Sequence, residues 1–275
     1  MVCASRRCKL SFKADRCAAK LHFLVVSSSS GAIVAFMAVN TIRWIRVTAS
    51  LRGSSRSSFP RILRGVNDAE RQQHWQRVYL ERDSSKVSWF EDSPVASLEL
   101  LASANLTSAS SVIDVGGGAS GLVDALLARG YQHLTVLDIS SAALDVARAR
   151  LGTAASRRVT WLSADITNAQ LPIAAYDVWH DRAVFHFLTD ISSRAAYLTA
   201  LKSALRPNGH ALIATFAPDG PLKCSGLETT RYDAAALLEV LGTDEFKLLE
   251  DRVVQHVTPS GGTQLFTYAL FRRSS

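Results

Sequence analysis

The chain has 275 residues, 48% hydrophobic and 20% charged, which is enough apolar material for one large folded unit or two small ones and too much for a disordered chain. Its net charge of +7 is unevenly spread: residues 1–66 hold twelve Lys or Arg against the single acid Asp15, whereas residues 67–275 hold nineteen against twenty-three. The larger part is therefore net acidic. It lacks the clustered cations that phosphate contacts need, which argues against a nucleic-acid partner.

Residues 1–66 are rich in Arg and Ser, a composition shared with organelle presequences. They also contain the apolar runs Leu21–Val26 and Gly31–Val39, separated by Ser27–Ser30. Together these span 19 residues, marginal for a membrane crossing of about 20 apolar residues. Three readings stay open: a targeting presequence, which would place the protein in the mitochondrion or another organelle; a weak anchor over residues 21–39, the only source of membrane contact; or an extension upstream of the native start, with a cytoplasmic protein. No fold is expected for this segment, and Ser50–Ser58 reads as a flexible linker. Cys3, Cys8 and Cys17 lie here at spacings that match no zinc pattern, and Cys224 is the remaining cysteine. A free thiol at Cys224, no structural disulfide and no metal site are expected.

A folded domain is expected over 67–275, opening with two helices across residues 67–110. Asn67-Asp-Ala-Glu70 has the form of a capping box. Trp75, Val78 and Tyr79 then share one helical face. After Val87-Ser-Trp-Phe90, Ser93-Pro94 reads as cap and first position of a second helix. From Ser111 onward strands alternate with helices. Strands are predicted over 111–116, 133–138, 158–163, 175–180 and 209–216, and helices over 120–129, 140–151, 190–205 and 233–241, three of them stopped by Gly130, Gly152 and Gly242. Such alternation gives a doubly wound parallel sheet covered on both faces. Residues 246–254 and 263–271, around Pro259-Ser-Gly-Gly262, read as an antiparallel C-terminal hairpin.

The chemistry concentrates where strands end. Ser111-Val-Ile-Asp-Val-Gly-Gly-Gly-Ala-Ser-Gly121 is a strand, a glycine turn and a helix start, a device whose free N–H groups and dipole face a ligand. Asp138 follows Gly116 by 22 residues at the end of the next strand, where an acid takes ribose hydroxyls. Gly116-x-Gly118-x-x-Gly121 literally matches the dinucleotide fingerprint, but Asp114 inside the first strand is not part of that pattern. A hydride-transfer enzyme would also need a proton relay, and Tyr197 is followed four residues later by Leu201 rather than Lys.

The Asp-x-Gly-x-Gly form resembles motif I of the class I S-adenosylmethionine-dependent methyltransferases. The resemblance continues through Val159–Ile166, Tyr176–Arg182 and Leu205-Arg-Pro-Asn-Gly209, in the right order over residues 70–275. Asn208 stands where the family usually has Gly, and Asn tolerates the left-handed turn. The resemblance implies a Rossmann-like α/β fold with a mostly parallel seven-stranded sheet, and S-adenosylmethionine as cofactor. It implies that Asp114, Gly116, Gly117 and Gly118 pass beneath the methionine part, that Asp138 with Ile139 takes the ribose, and that Asp165 with the backbone of Ile166 takes the adenine.

For the acceptor, Asp181 and His186 follow the fourth strand and are candidates to position it or remove its proton. His180 is expected between sheet and helices. Arg182 is a candidate for pairing with an acid or with an anionic substrate. Trp75, Tyr79, Trp89 and Phe90 form an aromatic set read as a lid, and Arg231 and Tyr232 are the candidates in the long loop 218–232. The expected reaction is in-line methyl transfer to S, O or N of a small molecule, with a protein lysine or other side chain as the alternative acceptor. A non-catalytic cofactor-binding protein and a nicotinamide-dependent oxidoreductase are lesser alternatives. A monomer is favoured.

Overall fold

The computed structural model describes residues 69–275 in full and, before them, the backbone of residue 68 and of three strands. These are β1 (Phe23–Ser28), β2 (Gly31–Ala38) and β3 (Thr41–Arg46), paired in sequence as an antiparallel meander. They fall where no fold was expected, and the two runs weighed as an anchor pair with each other as a hairpin. The capping residue Asn67, the three N-terminal cysteines and the linker 50–58 lie outside the described residues. No described helix is long and apolar enough to cross a membrane.

The remaining unit begins with α1 (Asp68–Glu81) and α2 (Val95–Ala102). Ser93 does not cap α2 with its side chain. Pro94 occupies the cap position, and the Ser93 carbonyl accepts from Val95 N–H at 2.9 Å. Then follow β4 (Ser111–Val115), α3 (Leu122–Ala128), β5 (His133–Asp138), α4 (Ser141–Ser156), β6 (Val159–Ser163), β7 (Tyr176–Arg182), α5 (Ile191–Ala204) and β8 (Leu205–Phe216). The hairpin β9 (Lys223–Cys224) and β10 (Leu227–Glu228), then α6 (Ala234–Leu241), β11 (Phe246–Val257) and β12 (Thr263–Arg273), complete the chain. The periodic helix in α4 breaks at Gly152, which leaves the helical region with φ +73°. Asn208 takes φ +64°, so the Asn-for-Gly departure is accommodated in the left-handed region.

The seven-stranded sheet has the order β11-β12-β8-β7-β4-β5-β6. Strands β4 to β8 run parallel, and β12 is antiparallel to both β8 and β11. The apolar runs of β4 and of β7 are buried on both faces, as strands covered on two sides must be. One core packs α5 and α6 on the first face, around Trp179, Tyr197 and Phe246. The other packs α2 and α3 on the opposite face, around Leu100, Leu122 and Phe216. From β4 the chain winds outward through β5 and β6, then returns to β7 on the other side of β4. That reversal opens a crevice at the carboxyl ends of β4 and β7.

Candidate active site

The crevice holds a pocket of about 100 Å³. Its floor is the glycine turn after β4. Gly116 has φ +69°, and its N–H donates to the Leu137 carbonyl at 2.7 Å. A Cβ at Gly117 would collide with Asp114 Oδ2, so only glycine fits there. The adjacent wall comes from the end of β5 with Asp138 and Ile139, and from the end of β6 with Ala164, Asp165 and Ile166. Asp138 is 6% exposed, and its Oδ1 accepts from Ser140 N–H at 2.8 Å. Burial pushes its carboxyl up to about 7. Gly118 is its support, since a Cβ there would lie 2.5 Å from Asp138 Oδ2.

Helix α1 roofs the pocket. Trp75, Tyr79 and Trp89 all line it, joined by Phe187 from the turn after β7. Trp89 Nε1 donates to the Tyr79 hydroxyl at 3.1 Å, and Trp75 sits edge-on to Trp89 and to Phe187 at 5.5 and 5.1 Å between ring centres. Phe90, the fourth member of the aromatic set, lines an adjoining smaller space instead. Two polar ties anchor the roof. Arg71 Nη2 donates to Asp165 Oδ2 at 2.9 Å, and Gln76 Oε1 accepts from Ser140 Oγ at 2.9 Å and from Ala142 N–H at 3.2 Å, at the start of α4. Asp165 also receives Thr167 N–H at 2.9 Å, so the acid at the end of β6 caps its own turn while it lines the pocket.

The acceptor-side candidates divide. Arg182 lines the pocket and does pair with an acid, Glu91, at 3.1 Å; it also donates to the Tyr268 hydroxyl and to the Trp89 carbonyl. Asp181 is not at the pocket. Its carboxylate is completely buried, accepts from Val184 and Phe185 N–H and from the Tyr197 hydroxyl at 2.6 Å, and so fastens the turn after β7. Burial raises it to about 6. His186 is equally sealed. Its Nδ1 accepts from Phe216 N–H at 3.2 Å, its ring packs against Phe187 and Phe216, and burial lowers it to about 3, which keeps it neutral. Neither is placed to take a proton from an acceptor. Arg231 bonds the Gly220 carbonyl from an exposed position, and Tyr232 packs in the core beside Phe185; neither lines the pocket. The long loop contributes Cys224 instead, a free buried thiol that lines the pocket. It sits before a turn whose central residues Ser225 and Gly226 have φ +50° and +80°, the signature of a tight hairpin.

Residues 112–209 match a methyltransferase-domain family model. An uncharacterized methyltransferase of Mycobacterium tuberculosis is 38% identical over 105 residues, which cover 38% of this chain and 50% of that protein. EEF1A lysine methyltransferase 2 of Danio rerio is 24% identical over 131 residues, 46% and 56% of the two chains. The chain thus spans about half the length of the curated relatives it matches. Among solved structures, the N-methyltransferase NodS of Bradyrhizobium japonicum bound to S-adenosylhomocysteine superposes with a TM-score of 0.55 at 19% identity, covering 74% of this chain and 99% of that one. The 1,6-didemethyltoxoflavin-N1-methyltransferase of Burkholderia thailandensis gives 0.56 at 18%, covering 94% and 100%. Residues 112–209 thus carry a methyltransferase domain, in a fold shared with solved methyltransferases that bind S-adenosylhomocysteine.

Within this methyltransferase fold, the residues sequence reasoning missed are instructive. Arg71 shares the face of Trp75 and Tyr79 at helical spacing, a signal legible in the sequence. Gln76, Phe187 and Cys224 carried no such signal, because each reaches the site only through a long-range contact.

Proposed function

We propose that this domain moves the methyl group of S-adenosylmethionine to a nucleophile on a small molecule. The observation that carries the proposal is the meeting, at one rim, of a glycine turn that admits no Cβ, the Asp138 and Asp165 carboxylates, and an aromatic roof. The residues present fit the cofactor. Asp138 would take the ribose hydroxyls, and hydroxyl donors would relieve a buried carboxylate that burial has pushed up to about 7. Asp165 and Ile166 would hold the adenine, and Gly116 to Gly118 the methionine part. When bound, the cofactor supplies a methyl group already activated on a sulfonium. What remains for the chain is to hold the acceptor in line and exclude water; orientation alone contributes about 7–11 kcal/mol.

The acceptor wall is formed by Trp75, Trp89, Phe187 and Cys224, with the Tyr79 hydroxyl and Arg182 as its polar groups. Burial raises Tyr79 above the usual phenol range and Cys224 to about 11, so both hold their protons. Arg182 is also a donor. These groups donate hydrogen bonds and cannot take up a proton, which favours an acceptor that presents a free lone pair without help from a base, a thiolate or an uncharged amine.

The test is calorimetry on the full chain with S-adenosylmethionine, S-adenosylhomocysteine and NAD. Micromolar binding of the first two, weakened at least about tenfold by Asp138→Ala, supports the reading. Binding of NAD alone overturns it. An acceptor panel of thiols, amines and phenols then reads the substrate class: the pH–rate profile should follow the acceptor's own pKa as it is varied.

A further inference from the structure

Past Gly116 the cleft continues into a smaller space of about 50 Å³, between the glycine turn with Ser120 on one side and Phe90 with Pro94 on the other. Asp114 lies at its base, 4% exposed. Its Oδ1 meets His180 Nδ1 at 2.6 Å, while its Oδ2 is buried without a partner among the described residues. An open carboxylate oxygen in such a place carries a desolvation cost that a bound donor would remove. Behind Asp114, His180 is 2% exposed and its Nε2 meets Ser97 Oγ at 2.9 Å. The ring nitrogen that faces the carboxylate donates to it, and the other meets the Ser97 hydroxyl, so the ring is held from both ends. Ser97 is fully buried in the first turn of α2. The nearby cation, Arg182, is already engaged by Glu91, Tyr268 and the Trp89 carbonyl, which leaves Asp114 Oδ2 open.

We propose that Ser97 and His180 form a buried relay that positions Asp114: the resemblance to motif I already assigns this acid to the methionine part of the cofactor, and the relay sets which of its oxygens stays open to the ligand's amino group. The proposal rests on the cofactor reading above. His180 and Ser97 are positioning residues that act through Asp114: the relay holds one carboxylate oxygen inward and aims the other at the ligand. The relay discriminates ligands that carry an ammonium group from nucleosides that lack one, and has no effect on the binding of ribose and adenine.

The experiment compares two nucleosides on the full chain: S-adenosylhomocysteine, which carries the amino-acid part, and 5′-methylthioadenosine, which lacks it. Asp114→Asn and His180→Asn should each weaken S-adenosylhomocysteine about tenfold, and Ser97→Ala about threefold, with 5′-methylthioadenosine changed less than about twofold. Ser97→Ala in the His180→Asn background should add nothing further, since both break one chain. Equal weakening of both nucleosides, or no weakening of S-adenosylhomocysteine, overturns the relay. Should His180→Asn not fold, Ser97→Ala, which removes a single oxygen, decides the matter alone. A wild-type chain that binds neither nucleoside overturns the cofactor reading and the relay with it; one that binds both, with variants that do not discriminate, overturns the relay only.

Discussion

Asp181 and His186 occupy neighbouring buried positions on one turn and impose opposite pH dependences on stability. Burial raises Asp181 to about 6, above its ordinary value of 3.8. The folded state therefore binds its proton more tightly than the unfolded state, and the stability it contributes is full below about pH 4 and lost as pH rises through about 6. Burial lowers His186 to about 3 from 6.5. Its contribution is full above about pH 6.5 and is lost as pH falls toward 3. Asp181→Asn should thus flatten the part of the melting-temperature profile that declines between pH 4 and 6, and His186→Asn the part that declines on acidification below pH 6.5. His186→Asn keeps an acceptor for Phe216 N–H but loses ring packing, and should cost about 1–3 kcal/mol by chemical denaturation. Both variants should keep kcat per folded molecule within about threefold of wild type, because neither side chain lines the pocket. A loss of a hundredfold or more at unchanged stability would restore a catalytic role. Gly117→Ala works in the other direction: its Cβ would displace the Asp114 carboxylate, and S-adenosylhomocysteine affinity should fall at least about tenfold in a protein that still folds.

Helix α1 is held by polar ties as well as by its aromatic contacts. Its residues Arg71 and Gln76 bind Asp165 and the start of α4, both at the rim where the adenine and ribose would sit. A charge-assisted bond to a largely buried carboxylate is worth about 1.5–3 kcal/mol. Arg71→Ala should therefore weaken S-adenosylhomocysteine about tenfold and speed amide exchange in residues 68–81, while exchange in the sheet stays unchanged. Equal exchange in wild type and variant would show that α1 is held by its aromatic contacts instead. The hairpin β9–β10 meets the same helix: His74 Nε2 lies 3.3 Å from Ser225 Oγ. That contact joins the hairpin that carries Cys224 to α1.

At the scale of the molecule, both hydrophobic cores are built, among the described residues, from positions after Glu81. Removing residues 1–60 should leave the melting temperature within a few degrees and the affinity for S-adenosylhomocysteine within about twofold, since both described cores lie in the part that remains. The charge asymmetry goes with that division: the deletion removes ten Lys or Arg and one acid, so the net charge passes from +7 to −2 and the isoelectric point falls.

What the sequence determined by itself was everything carried by local rules. Period and punctuation placed the strands from Ser111 and the helices stopped at Gly130, Gly152 and Gly242; the spacing of Gly116 and Asp138 pointed to a ligand at strand ends, and the family resemblance added Asp165. Asp138, Asp165, Ile139 and Ile166 were legible because each sits at a motif position, and Trp75 and Tyr79 because they share one helical face; Trp89 stood out only as an aromatic close to them in the chain. Tertiary structure decided the rest. Whether Asp181 and His186 face the cleft or the interior depends on the twist of the turn after β7 and on which core side chains close over it. Tyr197, 16 residues away, takes one Asp181 oxygen, and Phe216, 30 residues away, takes the His186 nitrogen. Arg231 and Tyr232 were displaced from the site in the same way, by a two-residue hairpin that turns Cys224 inward. Side chains that meet only after the sheet has formed leave no local pattern, because their partners are chosen by packing and not by spacing.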